Sequence, residues 1–218
     1  PQAMFEQMCE FGLFGSTIPE EYGGLGLDVT TYARLIEEIS RGYMSLAGLL
    51  NTHKIGAAMI GRYGTDEQRQ RFLPRMCDGS FRAAFSLSEP DAGSDTGALR
   101  CRAERDGDDY VVNGTKHFIS HADLADYTIL FAATGEEETS RGPKKLITSF
   151  LVDHDTPGLE VAPGYNCVSN RGYHNMILNF DDCRVPASKV LGEEHRGFDV
   201  ANEWLGATRL QVAAICLG

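Results

Sequence analysis

Two short segments hold residue types that can bind a flat, phosphorylated ligand. The first runs Phe85-Ser86-Leu87-Ser88-Glu89-Pro90-Asp91-Ala92-Gly93-Ser94-Asp95-Thr96-Gly97. It reads as a strand that Pro90 stops, followed by a sharp turn at Ala92-Gly93-Ser94. Successive backbone N–H groups in such a turn can point the same way and hold a pyrophosphate without a lysine. Alternation along the strand aims the Ser88 hydroxyl to one side, as a donor to a heterocycle. A plain surface turn accounts for the same Pro, Asp, Gly and Ser residues. In the second segment, Val112-Asn113-Gly114-Thr115-Lys116-His117-Phe118-Ile119-Ser120, a hairpin turn launches a strand. Its Phe118 and Ser120 face the same side, an aromatic plane beside a hydroxyl. That pairing suits stacking on a flat redox cofactor, and an ordinary amphipathic strand shows it too.

Other chemistries find little support. His117 and His121 are four apart on a strand and its following turn, so they lack the shared helical face of a zinc pair. No Ser-His-Asp order with a nucleophile elbow is visible. The six cysteines are scattered with no C-x-x-C pair, which argues against a disulfide scaffold or a zinc ribbon and for isolated buried thiols. A net charge of −11 over 218 residues repels phosphodiester backbones, and no basic stripe reverses this locally, so nucleic acid is not an expected partner. A phosphorylated small ligand remains open, because local N–H groups can hold it inside an acidic protein. No stretch reaches the roughly 18 uncharged apolar residues of a membrane helix; the best, Gly42 to His53, is closed by Lys54. The first residues lack the pattern of a signal peptide, and Pro1 is not an initiator methionine, so the true start is expected to be missing or processed.

The elements that must position these segments follow from periodicity. Over the first eighty residues the pattern is helical with glycine-rich breaks. Met4, Phe5, Met8, Phe11 and Leu13 form one stripe. A second helix is expected from Asp28 to Arg41 with Gly42 as its stop, and a third from Leu46 to Tyr63 with a face of small residues. A fourth starts at the capping box Thr65-Asp66-Glu67-Gln68 and runs to Asp78-Gly79. Near Arg82 the period becomes that of strands. Leu99–Glu104 is expected to pair with Tyr110–Asn113, Asn113-Gly114 reads as a hairpin turn, and strands follow at 127–133, 146–152, 159–162 and 176–180. Gly135 to Lys145, three glutamates and then Arg141-Gly142-Pro143-Lys144-Lys145, reads as a mobile solvated loop. From Gly197 a helix returns, with Phe198, Ala201, Leu205, Thr208, Val212 and Ile215 on one side. The fold class is α+β: an N-terminal helical domain (1–82), a middle antiparallel β-barrel or sandwich domain (83–196), and the first helix of a C-terminal helical bundle (197–218).

Taken in order, the motifs resemble the acyl-CoA dehydrogenase family. The pair of segments matches its E-P-x-A-G-S-D loop and its N-G-x-K-x-[WF]-I-[TS] strand. Ile18-Pro-Glu-Glu-Tyr-Gly-Gly-Leu-Gly26, Asp155-Thr-Pro-Gly-Leu159, Phe180-Asp-Asp-Cys-Arg-Val-Pro186, Val190-Leu-Gly192 and Gly197-Phe198 add to it, so the match spans essentially the whole chain. The resemblance implies FAD contacted by Phe85, Leu87, Ser88, Gly93, Ser94, Phe118, Ile119 and Ser120. It implies an acyl-CoA substrate near Ser94, Thr134, Thr208 and Arg209. Phe118 and Ser120 stand where many members have Trp and Thr, Asp91 where many have Gly, and His121-Ala122 where Asn or Ser with Gly is common. The implied reaction is α,β-dehydrogenation to the trans-2-enoyl-CoA, with electrons passed to an electron-transferring flavoprotein. A homotetramer or homodimer is implied, cytoplasmic in bacteria or in the mitochondrial matrix of eukaryotes. The scaffold also serves acyl-CoA or nitroalkane oxidases, and a non-catalytic family member is the remaining alternative.

The implied chemistry takes a proton from a weakly acidic carbon α to a thioester, which needs a desolvated carboxylate and donors to the enolate-like oxygen. Relatives carry that glutamate in the C-terminal domain or on the helix that begins near Gly197, directly before an arginine. Here that position is Thr208. The catalytic base is therefore expected beyond Gly218. Glu203 lies six residues before Arg209, about 600° around the helix, and reads as a surface residue.

Overall fold

The computed structural model describes residues 2–140 and 142–218; of Gln2, Glu203, Trp204, Leu205 and Ala207 it describes the backbone alone. Expectations that fall on Pro1, Arg141 and the side chains of Glu203, Leu205 and Ala207 lie outside the described residues. The chain divides into two compact units, Pro1–Ala83 with Cys167–Tyr173 and Asn202–Gly218, and Ala84–Asn166 with His174–Ala201.

The first unit is helical. It holds α1 (Gln2–Glu10), α2 (Val29–Tyr63), α3 (Asp66–Cys77) and the later turns of α4 (Gly197–Leu217). Asp28 starts α2 by accepting from the Thr30 and Thr31 N–H groups at 2.8 and 3.1 Å. The Thr31 hydroxyl adds a further bond, and together these hold the Asp28 carboxyl below its usual range. The stop foreseen at Gly42 is a kink one residue later, where Tyr43 is extended (φ −159°, ψ 98°). α3 carries the full capping box, Thr65 and Gln68 each accepting the other's backbone N–H. The small face of α2 has a partner: a Cβ on Gly48 would stand 2.9 Å from the Tyr173 ring. The core gathers Met8, Phe14, Tyr32, Ile36, Ala47 and Leu50, with Ile215 packed against it. Within α4 the apolar side is rotated from expectation, because Thr208 and Gln211 are buried while Val212 is exposed. One residue is 100° of helix, so a single polar-for-apolar exchange turns the inferred face.

The second unit is a mixed sheet of β1 (Ala83–Ser86), β2 (Arg102–Asp106), β3 (Asp109–Ser120), β4 (Tyr127–Thr139), β5 (Gly142–Asp153), β6 (Leu159–Tyr165) and β7 (Asn175–Pro186). The order is β1-β4-β2-β3-β7-β6, with β5 paired to β4. Most of the registered pairs are antiparallel, as foreseen, and the exception is the short parallel contact of β2 with β4 at Arg102↔Ala133. Tyr110, Val112, Leu130, Phe150, Leu178 and Val185 lie in its core.

Two turn assignments fail here. Asn113-Gly114 is no hairpin: β3 runs through it, with a bulge against β7 between Val112 and Gly114. Gly114 sits at φ 148°, and a Cβ there would meet the Cys101 Cα at 2.7 Å. The glycine serves the close approach of a neighbouring backbone. The stretch from Gly135 to Lys145 is a ribbon and not a loop. β4 and β5 stay paired to Thr139↔Gly142, with Glu136 opposite Lys145 and Glu137 opposite Lys144. The lysine pair stands across from the glutamate run, and Lys144 reaches Glu137 at 2.8 Å.

The bulge yields a stability test. Gly114→Ala is expected to cost about 2–3 kcal/mol through overpacking, and Gly107→Ala, at φ 64° with nothing within 4 Å of its Cβ, about 1–2 kcal/mol from backbone strain alone. Urea unfolding of the two variants measures the difference.

Candidate functional site

Where β1 ends, the chain crosses β3, and the crossing is secured by charge. Lys116, wholly buried, donates its ammonium to Glu89 Oε1 at 2.7 Å and to the Leu87 carbonyl at 3.1 Å. Glu89, with 3% of its side chain exposed, also accepts the Arg100 N–H at 2.6 Å and the Cys101 N–H at 3.1 Å. Both carboxylate oxygens and two of the three ammonium donors are thus engaged, and such bonding is what makes a buried ion pair tolerable. Burial pushes the neighbouring Cys101 thiol up to about 11, so it is protonated at neutral pH and no nucleophile. Next to the pair, the His117 N–H donates to the Ser88 carbonyl at 2.9 Å. The two segments singled out from sequence are therefore one construction. Neither Glu89 nor Lys116 was given a role beforehand, although each is the charged residue in an otherwise apolar or turn-forming stretch.

The loop after Glu89 is closed by paired Glu89 and Ala92 backbones. The N–H groups of Gly93 and Ser94 then donate to no acceptor among the described residues, and both residues are exposed. No residue between Glu89 and Leu99 has a positive φ, so these donors come from an ordinary turn and not from backbone of alternating hand. Asp91 turns onto Arg100 at 2.9 Å on the surface. The Ser88 hydroxyl is partly exposed and has no partner among the described residues. Leu87 and Ile119 are buried, and the Phe85 ring packs on Phe131 at 5.1 Å.

Phe118 is the unusual residue. It has a left-handed backbone (φ 58°) at the second bulge of β3, between Lys116 and Ile119, and is 57% exposed. One ring face is stacked on Tyr165, centroids 4.3 Å apart and planes 16° from parallel. The Tyr165 hydroxyl is bonded to His117 Nδ1 at 2.7 Å. A bulky residue in left-handed backbone with an exposed ring is the kind of outlier that points to a ligand platform. Ser120 donates to Asn175 Oδ1 at 3.0 Å, which leaves its lone pairs for another partner. Thr134, at the β4 bulge, shares its hydroxyl with Thr148 at 2.6 Å. Thr208 and Arg209 belong to the helical unit. There Thr208 is buried and bonded to both amide atoms of Asn51, at 3.0 and 3.3 Å, while Arg209 is exposed.

The free N–H loop, the unpartnered Ser88 hydroxyl and the exposed Phe118 are residue types that suit a flavin dinucleotide. Comparison with known proteins agrees in kind. Residues 1–80 match the acyl-CoA dehydrogenase N-terminal domain and residues 84–183 its middle domain. The chain belongs to the acyl-CoA dehydrogenase family. It is 37% identical over 220 residues to acryloyl-CoA reductase (NADH) of Anaerotignum propionicum, covering 100% of this chain and 55% of that protein. Butyryl-CoA dehydrogenase from Megasphaera elsdenii has the same fold, with a TM-score of 0.90 at 32% identity over 99% of this chain and 56% of that one. An acyl-CoA dehydrogenase complexed with FAD from Bacillus anthracis gives 0.87 at 30% identity, over 96% and 36%. The chain spans about half the length of the curated relatives it matches.

The buried pair is open to a double-mutant cycle. Lys116→Met and Glu89→Gln are each expected to cost about 3–5 kcal/mol, and the double variant clearly less than their sum. Denaturant unfolding of the three variants reads the coupling.

Proposed function

We propose that the protein is an FAD-dependent acyl-CoA dehydrogenase that forms a trans-2-enoyl-CoA and passes electrons to an electron-transferring flavoprotein. The observation that carries the reading is Phe118, a residue in left-handed backbone with its ring stacked on Tyr165 and 57% of its surface exposed. When bound, FAD supplies the hydride acceptor for the substrate β carbon. Phe118 would support the flavin plane. Ser88 donates to its edge, Ser120 stands beside it with Asn175 fixing its rotamer, and the Gly93 and Ser94 N–H groups receive the pyrophosphate. Phe85, Leu87 and Ile119 hold this backbone in place from the buried side.

Ser94 would lie near the CoA ester, and Arg209, in the helical unit, is by the resemblance a separate candidate contact to the acyl-CoA. Arg209 has no ion-pair partner among the described residues, whereas the hydroxyls of Thr134 and Thr208 are already spent on Thr148 and Asn51. Thr208 cannot act as a base at neutral pH, so the proton goes to a carboxylate at another position. The whole protein works as a homotetramer or homodimer, in the bacterial cytoplasm or the mitochondrial matrix.

Full-length protein is expected to purify with flavin absorbance and to bleach anaerobically with butyryl-CoA. Hydrogen peroxide in place of electron transfer to the flavoprotein partner would identify an oxidase, and absent flavin a non-catalytic member. Phe118→Ala is expected to weaken FAD by about fivefold, the equivalent of about 1 kcal/mol of stacking, in a fluorescence titration of the apoprotein. Glu203→Gln should keep its turnover.

A further inference from the structure

The helical unit has a cavity of about 620 Å³ between the 17–22 loop, α2 and the start of α3, a volume that takes a small organic ligand. Ile18, Pro19, Leu27, Val29 and Ala57 make much of its wall apolar, and Lys54 reaches into it. The other lysines spend their ammonium on an acceptor: Lys116 and Lys144 on glutamates, Lys189 on Asp153, Lys145 on the Leu99 carbonyl. Lys54 has none among the described residues and lies instead 4.5 Å over the Tyr32 ring.

The other titratable groups lining this space do not serve it. Arg69 is held by Asp66 at 2.5 Å and by the Gly64 carbonyl, Glu21 is exposed, and Tyr22 is half-buried. Beneath Lys54, burial keeps the Tyr32 phenol far above its usual range and neutral. Burial is also what lowers the Lys54 ammonium, to about 8. Near neutral pH a sizeable fraction of this side chain is therefore free amine, while an ordinary lysine near 10.4 offers almost none.

We propose that Lys54 is a covalent acylation site for CoA thioesters, with the acyl chain entering the apolar cavity beside it. The Nζ lone pair attacks the thioester carbonyl carbon, the N–C bond forms, the C–S bond breaks, and CoA leaves as thiolate and takes the proton that the nitrogen loses. No oxidant or reductant is consumed. The choice of thioester rests on the proposed function, but the step uses neither flavin nor base.

The test incubates full-length protein with butyryl-CoA at pH 7.5 and maps acylated lysines by mass spectrometry over time. Lys54 is expected to be labelled on the order of tenfold faster than Lys144 or Lys145, since its gain in free amine outweighs the lower nucleophilicity of a weaker base. Its rate should level off above about pH 8, while theirs keep rising. Ala58→Glu, which puts a carboxylate one helical turn from Lys54, should slow labelling several-fold and leave FAD binding unchanged. Labelling of Lys54 no faster than of Lys144 and Lys145, or indifferent to Ala58→Glu, overturns the proposal. Flavin that bleaches with butyryl-CoA while Lys54 stays unlabelled overturns this proposal alone; labelled Lys54 with unreduced flavin overturns only the dehydrogenase reading.

Discussion

The candidate site depends on one buried ion pair. Glu89 and Lys116 are withdrawn from water almost completely, a placement that each charge alone makes costly and that hydrogen bonding makes tolerable. The carboxylate ties down the backbone at Arg100 and Cys101, and the ammonium ties down the Leu87 carbonyl. One charge pair therefore sets the end of β1, the start of the donor loop and the approach of β3. Apolar side chains of equal volume would fill the space but leave those backbone groups unpaired. The pair's service is geometric, fixing the loop at one distance from the strand that carries Phe118.

From that anchored point β3 has little choice. Lys116 points inward and Ile119 is buried, yet strict alternation would put residues three apart on opposite faces. The bulge between them restores the register, and Phe118 takes the left-handed conformation that the extra residue demands. The ring it displaces outward is caught by Tyr165, which His117 holds by its hydroxyl. Strain in the backbone and order in the side chain are two sides of the same insertion.

Much of this was legible. Helix starts were marked by Asp28 and Thr65, whose caps are local and use neighbouring residues only. Strand positions followed from alternation, and the family motifs brought out Phe118 and the 85–94 segment. The failures share a physical cause. Asn113-Gly114 has the dihedral freedom of a turn and of a bulge alike, and Cys101, thirteen residues before Gly114, decides between them. The glutamates of 136–138 look solvated until Lys144 and Lys145 stand opposite them. Gln211 is buried and Val212 exposed because tertiary packing, and not hydropathy, orients α4. Long-range pairing settled what local composition left open, and the Glu89–Lys116 bond, spanning 27 residues, is the clearest case.

The Asn51–Thr208 clasp has an evolutionary side. By the resemblance drawn from the motifs, some relatives carry their general base at the position that Thr208 fills. Here both amide atoms of Asn51 are turned to that hydroxyl, which donates to one and accepts from the other. A carboxylate in its place can accept from the amide nitrogen but has nothing to donate to the amide oxygen, and two acceptors would face each other in a buried space. A glutamate at position 208 therefore calls for a matching change at Asn51.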